Sequence, residues 1–261
     1  MIVGYVQTSP AFGLQEKNFR QVEELTGGIK ADLLVLPELF ATGYAFTSRE
    51  EALSLGEGTG GPTAAFLQSL AERTGGAVAA GFPEKDGIRL YNAAMLVSEV
   101  GVLAVYRKIH LFAREKFVFD PGDRPFAVYP LPSCAVGLMI CFDWAFPEAA
   151  RSLALQGAQV IAHPANLVTP YCQEAMRTRC LENRLFAVTA NRIGSEKRGE
   201  QDLTFTGMSQ VTGCKGEVLH RGDNTGTEVR LVELDPAAAL DKNLTPLNHL
   251  LDDRRPELYL T

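Results

Sequence analysis

Three residues of contrasting chemistry stand where apolar runs of the chain stop. Glu38 closes "ADLLVLPE", Lys108 follows "VLAVYR" and Cys141 follows "AVGLMI". In an open α/β sheet, ligands gather at the carboxyl ends of strands, so a carboxylate, an ammonium and a thiol at three strand ends are placed to meet. Such a meeting supports acyl-transfer chemistry. A free thiol has a pKa near 8.5 and is only a few per cent thiolate at neutral pH. Glu38 is placed to take the thiol proton as a general base and to return it to a departing amine. Lys108 and the Phe142 N–H are placed to stabilise an oxyanion. The residues alone leave a second reading open. Free cysteine is commonly buried without function, and a strand-end Glu or Lys is commonly a salt bridge or a solvated edge.

The elements that would position these groups alternate along the chain. "MIVGYVQ" reads as a strand, followed by a helix with Phe19, Val22, Leu25 and Ile29 on one face. "ADLLVLPEL" is a continuous apolar run that suits a strand buried on both faces. "GPTAAFLQSLAERTGG" is a helix punctuated by proline and glycines. Three strand-like runs, "GAVAAGFPE", "LYNAAMLVSE" and "GVLAVYRKIHLF", follow, then "FAVYPL" and "CAVGLMICFD". A helix is expected over 146–158, a strand at "QVIAHPAN", a helix over 172–187 and a strand at "VTANRIG". "GMSQVTGCKGEVLH" and "EVRLVELD" read as a hairpin pair. No linker or repeat divides the sequence, so one domain over 1–261 is expected, with 236–261 as a polar, proline-punctuated tail lying on the body or on a neighbouring subunit.

Composition narrows the class. The chain has 261 residues, 46% of them hydrophobic and 21% charged, with a net charge of −6, which fits a globular protein and argues against a nucleic-acid partner. No apolar run approaches the roughly 18 residues of a membrane span, and "MIVGYVQTSP" lacks the marks of a signal peptide. The five cysteines form no CxxC pair, which argues against a disulfide framework or a zinc site and for a reducing cytoplasm.

The segments around the three strand-end residues carry more information than their spacing. "LPELFATGY", "YRKIHLF" with "REKFVFDPGD", and "GLMICFDWAFPE" together resemble the signature regions of the nitrilase (carbon–nitrogen hydrolase) superfamily, and "GAQVIAHPAN", "ENRLFAVTAN" and "DDRRPELY" extend the resemblance nearly end to end. The resemblance implies an α/β fold, a four-layer α-β-β-α sandwich, in subunits paired as a homodimer or higher homo-oligomer. It implies that Cys141 is the nucleophile, Glu38 the proton shuttle and Lys108 the oxyanion partner, with Glu115 orienting Lys108. A loop salt bridge from Glu115 to Arg114 or Lys116 is the competing assignment.

Tyr44, Phe117, Phe142 and Asn166 are placed as substrate-binding residues. Trp144 either walls the acyl pocket or packs beneath the next helix, and Asp143 reads as a helix cap. His110 and His163 offer a Cys-His alternative that no sequence context supports. No metal and no cofactor are expected.

The implied activity is hydrolysis of non-peptide C–N bonds through a thioester, with a small-molecule amide or nitrile as substrate. Phe142-Asp143 directly after the cysteine resembles the amidase-like branch, where nitrilases tend to carry Trp-Glu. Hydrolysis of a nitrile, an N-carbamoyl amine or an ω-amide of a dicarboxylic acid is the nearest alternative. A non-catalytic scaffold and a soluble acyltransferase are more distant ones.

Overall fold

The computed structural model describes residues 1–259. The chain opens with strand β1 (Ile2–Gln7), helix α1 (Gln15–Leu25), β2 (Leu33–Val35), α2 (Arg49–Leu55) and α3 (Pro62–Thr74). Then come β3 (Ala77–Asp86), β4 (Arg89–Ser98), β5 (Gly101–Arg107), the short helix α4 (Glu115–Val118), β6 (Val128–Pro130) and β7 (Ala135–Leu138). A 3₁₀ turn over Cys141–Ala145 leads into α5 (Pro147–Leu155), β8 (Val160–Pro164), α6 (Cys172–Asn183) and β9 (Phe186–Ala190). The remainder comprises a hairpin of β10 (Ser195–Arg198) and β11 (Gln201–Thr204), then β12 (Gln210–Thr212), β13 (Val218–Arg221), β14 (Glu228–Glu233) and the tail pair β15 (Asn243–Thr245) and β16 (Asn248–His249).

Two six-stranded sheets stack face to face, in the orders β14-β1-β2-β3-β4-β5 and β13-β12-β9-β8-β7-β6. Each has three parallel strands at its centre, β1-β2-β3 and β7-β8-β9, flanked by antiparallel ones. The alternation of strand side chains makes the layers. In β2, Leu33 and Val35 face the other sheet, while Leu34, and Leu36 just past the strand, pack under Phe19 and Val22 of α1 and Leu67 and Leu70 of α3. On the far side, Ala149 and Leu153 of α5 and Met176 and Cys180 of α6 join the core of the second sheet. The result is a four-layer α-β-β-α sandwich. It explains why β2 is apolar at every position: it is covered on both faces.

Several boundaries differ from those read in the sequence. The helix expected over 146–158 is preceded by the 3₁₀ turn and ends at Leu155. The helix expected over 172–187 ends at Asn183, where Arg184 takes a left-handed φ of 48° and releases the chain into β9. Helix α1 stops at Leu25, before Gly27-Gly28, so Ile29 lies beyond it. The expected hairpin of "GMSQVTGCKGEVLH" with "EVRLVELD" does not form. β12 pairs with β13, whereas β14 crosses to the other sheet and runs antiparallel to β1 over Ile2–Gln7. The open edge of β1 decides this, and strand alternation does not encode which edge a strand will join. Within the tail, residues 236–259 form short turns and the β15–β16 pair, and the last two of the expected 236–261 segment lie outside the described residues.

Candidate active site

The carboxyl ends of β2, β5 and β7 bring Glu38, Lys108 and Cys141 into one buried cluster. Glu38 leaves β2 against β3, where Gly81 is indispensable: a Cβ there would stand 2.5 Å from the Glu38 Cα. Both Glu38 and Lys108 are fully buried. The Lys108 ammonium donates to Glu38 Oε1 at 2.7 Å and to Glu115 Oε1 at 2.8 Å. A lysine has three N–H donors, so one is left for a ligand. Asn92 of β4 donates a second bond to Glu38 Oε1 at 2.7 Å, and Glu38 Oε2 has no partner.

Glu115 is the hub on the other side of the lysine. Its Oε1 also accepts from the Tyr44 hydroxyl at 2.6 Å, and its Oε2 from the Phe112 N–H at 3.2 Å. The expected alternative, a loop bridge to Arg114, does not occur: Arg114 pairs outward with Glu200 at 3.2 Å. Tyr44 is itself clamped from the β10–β11 hairpin. The Glu196 carboxylate accepts from Tyr44 N at 3.0 Å and Ala45 N at 2.6 Å, and is held in turn by the buried Arg192.

Cys141 sits past the end of β7, on the first residue of the 3₁₀ turn, with a left-handed φ of 39°. A non-glycine residue there carries strain of about 1–3 kcal/mol and persists only where its surroundings enforce it. The enforcement is visible. His163 on β8 donates from Nε2 to the Cys141 carbonyl at 2.9 Å, and its Nδ1 faces Thr189 Oγ1 at 3.1 Å. A carbonyl can only accept, so the proton is on Nε2. Asp143 is more than a helix cap: its carboxylate accepts from Ile140 N at 2.8 Å and the Tyr106 hydroxyl at 2.8 Å, and binds His110 Nδ1 at 2.7 Å. Both histidines are therefore engaged in holding the turn, and neither serves as partner to the thiol. The Cys141 thiol lies 3.7 Å from the Asn166 carbonyl oxygen, and the Asn166 side chain donates to the Glu38 backbone oxygen at 2.8 Å.

Burial sets the proton affinities. It pushes the Glu38 carboxyl up to about 7, against the pull of Lys108. Burial also opposes charge on Lys108, but Glu115 and Glu38 together outweigh it and hold the ammonium protonated. Burial, reinforced by the Glu38 carboxylate, pushes the Cys141 thiol well up, so at rest it carries its proton. The cluster thus holds a thiol, a carboxyl that titrates near neutrality and a fixed cation.

A cavity of about 230 Å³ opens beside Cys141, with Phe142, Trp144 and Asn166 in its wall. Trp144 is half-buried and also packs against the apolar cluster to which α5 contributes Ala149 and Leu153. Tyr44 lines an adjoining cavity with Glu115. Phe117 is corrected. It is 77% exposed and lines neither cavity, because α4 turns Glu115 and Val118 inward and leaves the intervening side chains outside. Asn92, Asp143 as turn anchor, and the Arg192–Glu196 pair were missed. The one signal for Asn92 was a lone amide inside the apolar run "LYNAAMLV". A cleft of about 420 Å³ at the opposite ends of β1, β2 and β3, bordered by Met1, Asp32 and Gly76, gathers no such cluster.

The class this fold and site define is matched by comparison. The carbon–nitrogen hydrolase family profile matches residues 2–240, and the chain belongs to that family. A nitrilase of Pyrococcus abyssi is 48% identical, with 98% of each chain covered. A solved carbon–nitrogen hydrolase from Helicobacter pylori G27 superposes with a TM-score of 0.89 at 27% identity, covering 99% of this chain and 97% of that one. An amidase from Nesterenkonia sp. AN1, solved with acrylamide added to its active-site cysteine, superposes with a TM-score of 0.80 at 27% identity, covering 99% and 98%. The protein is a carbon–nitrogen hydrolase of the nitrilase/amidase type.

Proposed function

We propose that the chain hydrolyses a small amide to its acid and ammonia through a thioester on Cys141. The observation that carries this is the fully buried Lys108 bridged to Glu38 and Glu115 at 2.7 and 2.8 Å, with one carboxylate oxygen of Glu38 left unpartnered. Burial leaves the thiol protonated and raises the Glu38 carboxylate to about 7, which makes it a stronger base than an ordinary carboxylate for that proton. Glu38 takes the thiol proton as Sγ bonds to the carbonyl carbon. The oxyanion is met by the third Lys108 N–H and by Phe142 N–H. Collapse breaks the C–N bond, and Glu38 hands its proton to the departing nitrogen. Water then gives a proton to Glu38 and attacks the thioester, and the same proton returns to the leaving thiolate. Glu115, itself held by the Tyr44 hydroxyl, fixes Lys108.

A nitrile is the second reading, favoured by the 48% identity to the Pyrococcus abyssi nitrilase. Ammonia release from matched amides and nitriles tests both, with Cys141→Ala as blank. Release from amides that vanishes in the variant supports the first reading; release confined to nitriles moves the assignment to the second. Undiminished release from folded Cys141→Ala refutes both.

The reading includes a single unit over 1–261 that works in the cytoplasm as a homodimer or larger homo-oligomer. For the assembly, the support is the exposure of Leu240, Leu244, Leu247 and Leu258 in the tail and of Leu155 and Leu181 on α5 and α6. Among the described residues no helix is long and apolar enough to cross a membrane.

A further inference from the structure

The wall of the cavity beside Cys141 carries a statement about what is attached to the carbon under attack. Phe112, Phe142, Trp144, Leu167, Val168 and Tyr171 surround its 230 Å³, and among the described residues no charged side chain lines it. Its polar groups are few. One of the two Asn166 side-chain N–H groups is given to the Glu38 backbone, which leaves the other, Oδ1 and the Thr169 and Tyr171 hydroxyls. A charged group entering this space would lose its water and meet no counter-charge, an arrangement proteins avoid.

The adjoining cavity, about 310 Å³, meets this one at Phe112 and Val168 but does not reach Cys141. Arg114 is the one cation in its described lining, and Glu200 holds it at 3.2 Å. Asp202 in the same wall is paired with Lys197 at 3.3 Å, and Glu115 is bound to Lys108. A carboxylate that reached this second space would have to displace Glu200 from Arg114, whereas an ammonium would meet Glu115, Glu200 and Asp202 only after leaving the cavity beside Cys141.

We infer that the acyl side of the substrate is uncharged and apolar, of short aliphatic or aryl type, and lies in the aromatic cavity against Phe142 and Trp144. Within this cavity there is no cation for the free carboxylate of a dicarboxylic ω-amide and no carboxylate for an amide or carbamoyl amine ending in an ammonium. The inference rests on the reading of Cys141 as the nucleophile.

Three amides of equal chain length test it: pentanamide, the anion glutaramate and the cation 5-aminopentanamide. Pentanamide is expected to exceed both in kcat/KM by about 100-fold or more. A charged amide that matches or exceeds it overturns the inference. Tyr171 is at the mouth of the cavity and 65% exposed, so Tyr171→Arg tolerates a new cation. That variant is expected to raise the glutaramate-to-pentanamide ratio about tenfold, and an unchanged ratio places the chain elsewhere.

Silence towards all three amides would count against amide hydrolysis instead. A turnover-free probe then still reads the cavity. Pentanal and 5-oxopentanoate each add reversibly to a thiol: Sγ bonds to the carbonyl carbon, and the thiol proton passes to the oxygen. Protection of Cys141 from alkylation is expected at much lower pentanal than 5-oxopentanoate concentration. Equal protection by the two, or none, overturns the inference.

Discussion

At the scale of single residues, the behaviour of the site follows from how Glu38 is solvated. It has lost water on every side, and that loss moves its carboxyl to about 7 while Lys108 restrains the shift. Glu38 must be ionised to accept the thiol proton, so kcat/KM is expected to fall as pH drops through about 7, on a limb belonging to Glu38. The Asn92 hydrogen bond favours the ionised form. Asn92→Leu, close in volume, is therefore expected to move the limb to higher pH, and a limb that stays put would deny Glu38 the role of base. Glu38, Lys108, Glu115 and Cys141 were legible because each lies in a short motif whose neighbours are as specific as the residue itself. Asn92 was not, since one amide in an apolar strand has the same pattern whether it touches a carboxylate or the strand edge. Phe117 misled for a related reason: proximity to Glu115 in sequence says nothing about which side of a one-turn helix it occupies.

At the scale of elements, two devices hold the reactive groups, and both are made of buried polar pairs. The first is the turn after β7, where His163 and Asp143 fix the left-handed Cys141. Burial pushes the His163 pKa down to about 4, against the favourable bond to the Cys141 carbonyl. The unfolded chain therefore takes up a proton near pH 6.5 that the folded one refuses until about 4. The contribution of His163 to stability is complete above the unfolded value and is lost as pH falls from 6.5 towards 4. Denaturant titrations across that window should show the loss, and His163→Gln should flatten it.

The second device is the β10–β11 hairpin, through which Glu196 pins the backbone of Tyr44 and Ala45. Glu196→Ala strands the buried Arg192 guanidinium and is expected to cost about 3–5 kcal/mol in unfolding free energy. The hairpin escaped sequence reading because "SEKRGEQDLT" is charged throughout, and its pairing is visible only in contact with the loop it clamps. By contrast β2 and α3 were plain: the first is buried on both faces, the second starts at Pro62 and ends at Gly75 with a left-handed φ of 81°.

At the scale of the whole molecule, the two stacked sheets explain how residues from opposite halves of the chain share a site. β2 and β5 supply Glu38 and Lys108 from one sheet; β7 and β8 supply Cys141 and His163 from the other. Class and layering were readable from the resemblance of the motifs, but the crossing of β14 was not, because edge choice depends on the finished sheet. Leu244, Leu247 and Leu258 of the tail are exposed, and the proposed assembly would cover them. Light scattering is expected to find a dimer or larger assembly that dissociates when residues 241–261 are removed; a monomeric full-length chain would contradict this.

The most direct test of the central claim is the covalent one. The enzyme is quenched in acid during turnover of pentanamide, and peptides containing Cys141 are weighed by mass spectrometry. The pentanoyl mass is expected on Cys141, and neither adduct nor ammonia from Cys141→Ala. Undiminished ammonia release from a folded Cys141→Ala, or an acyl group on another residue, would contradict it.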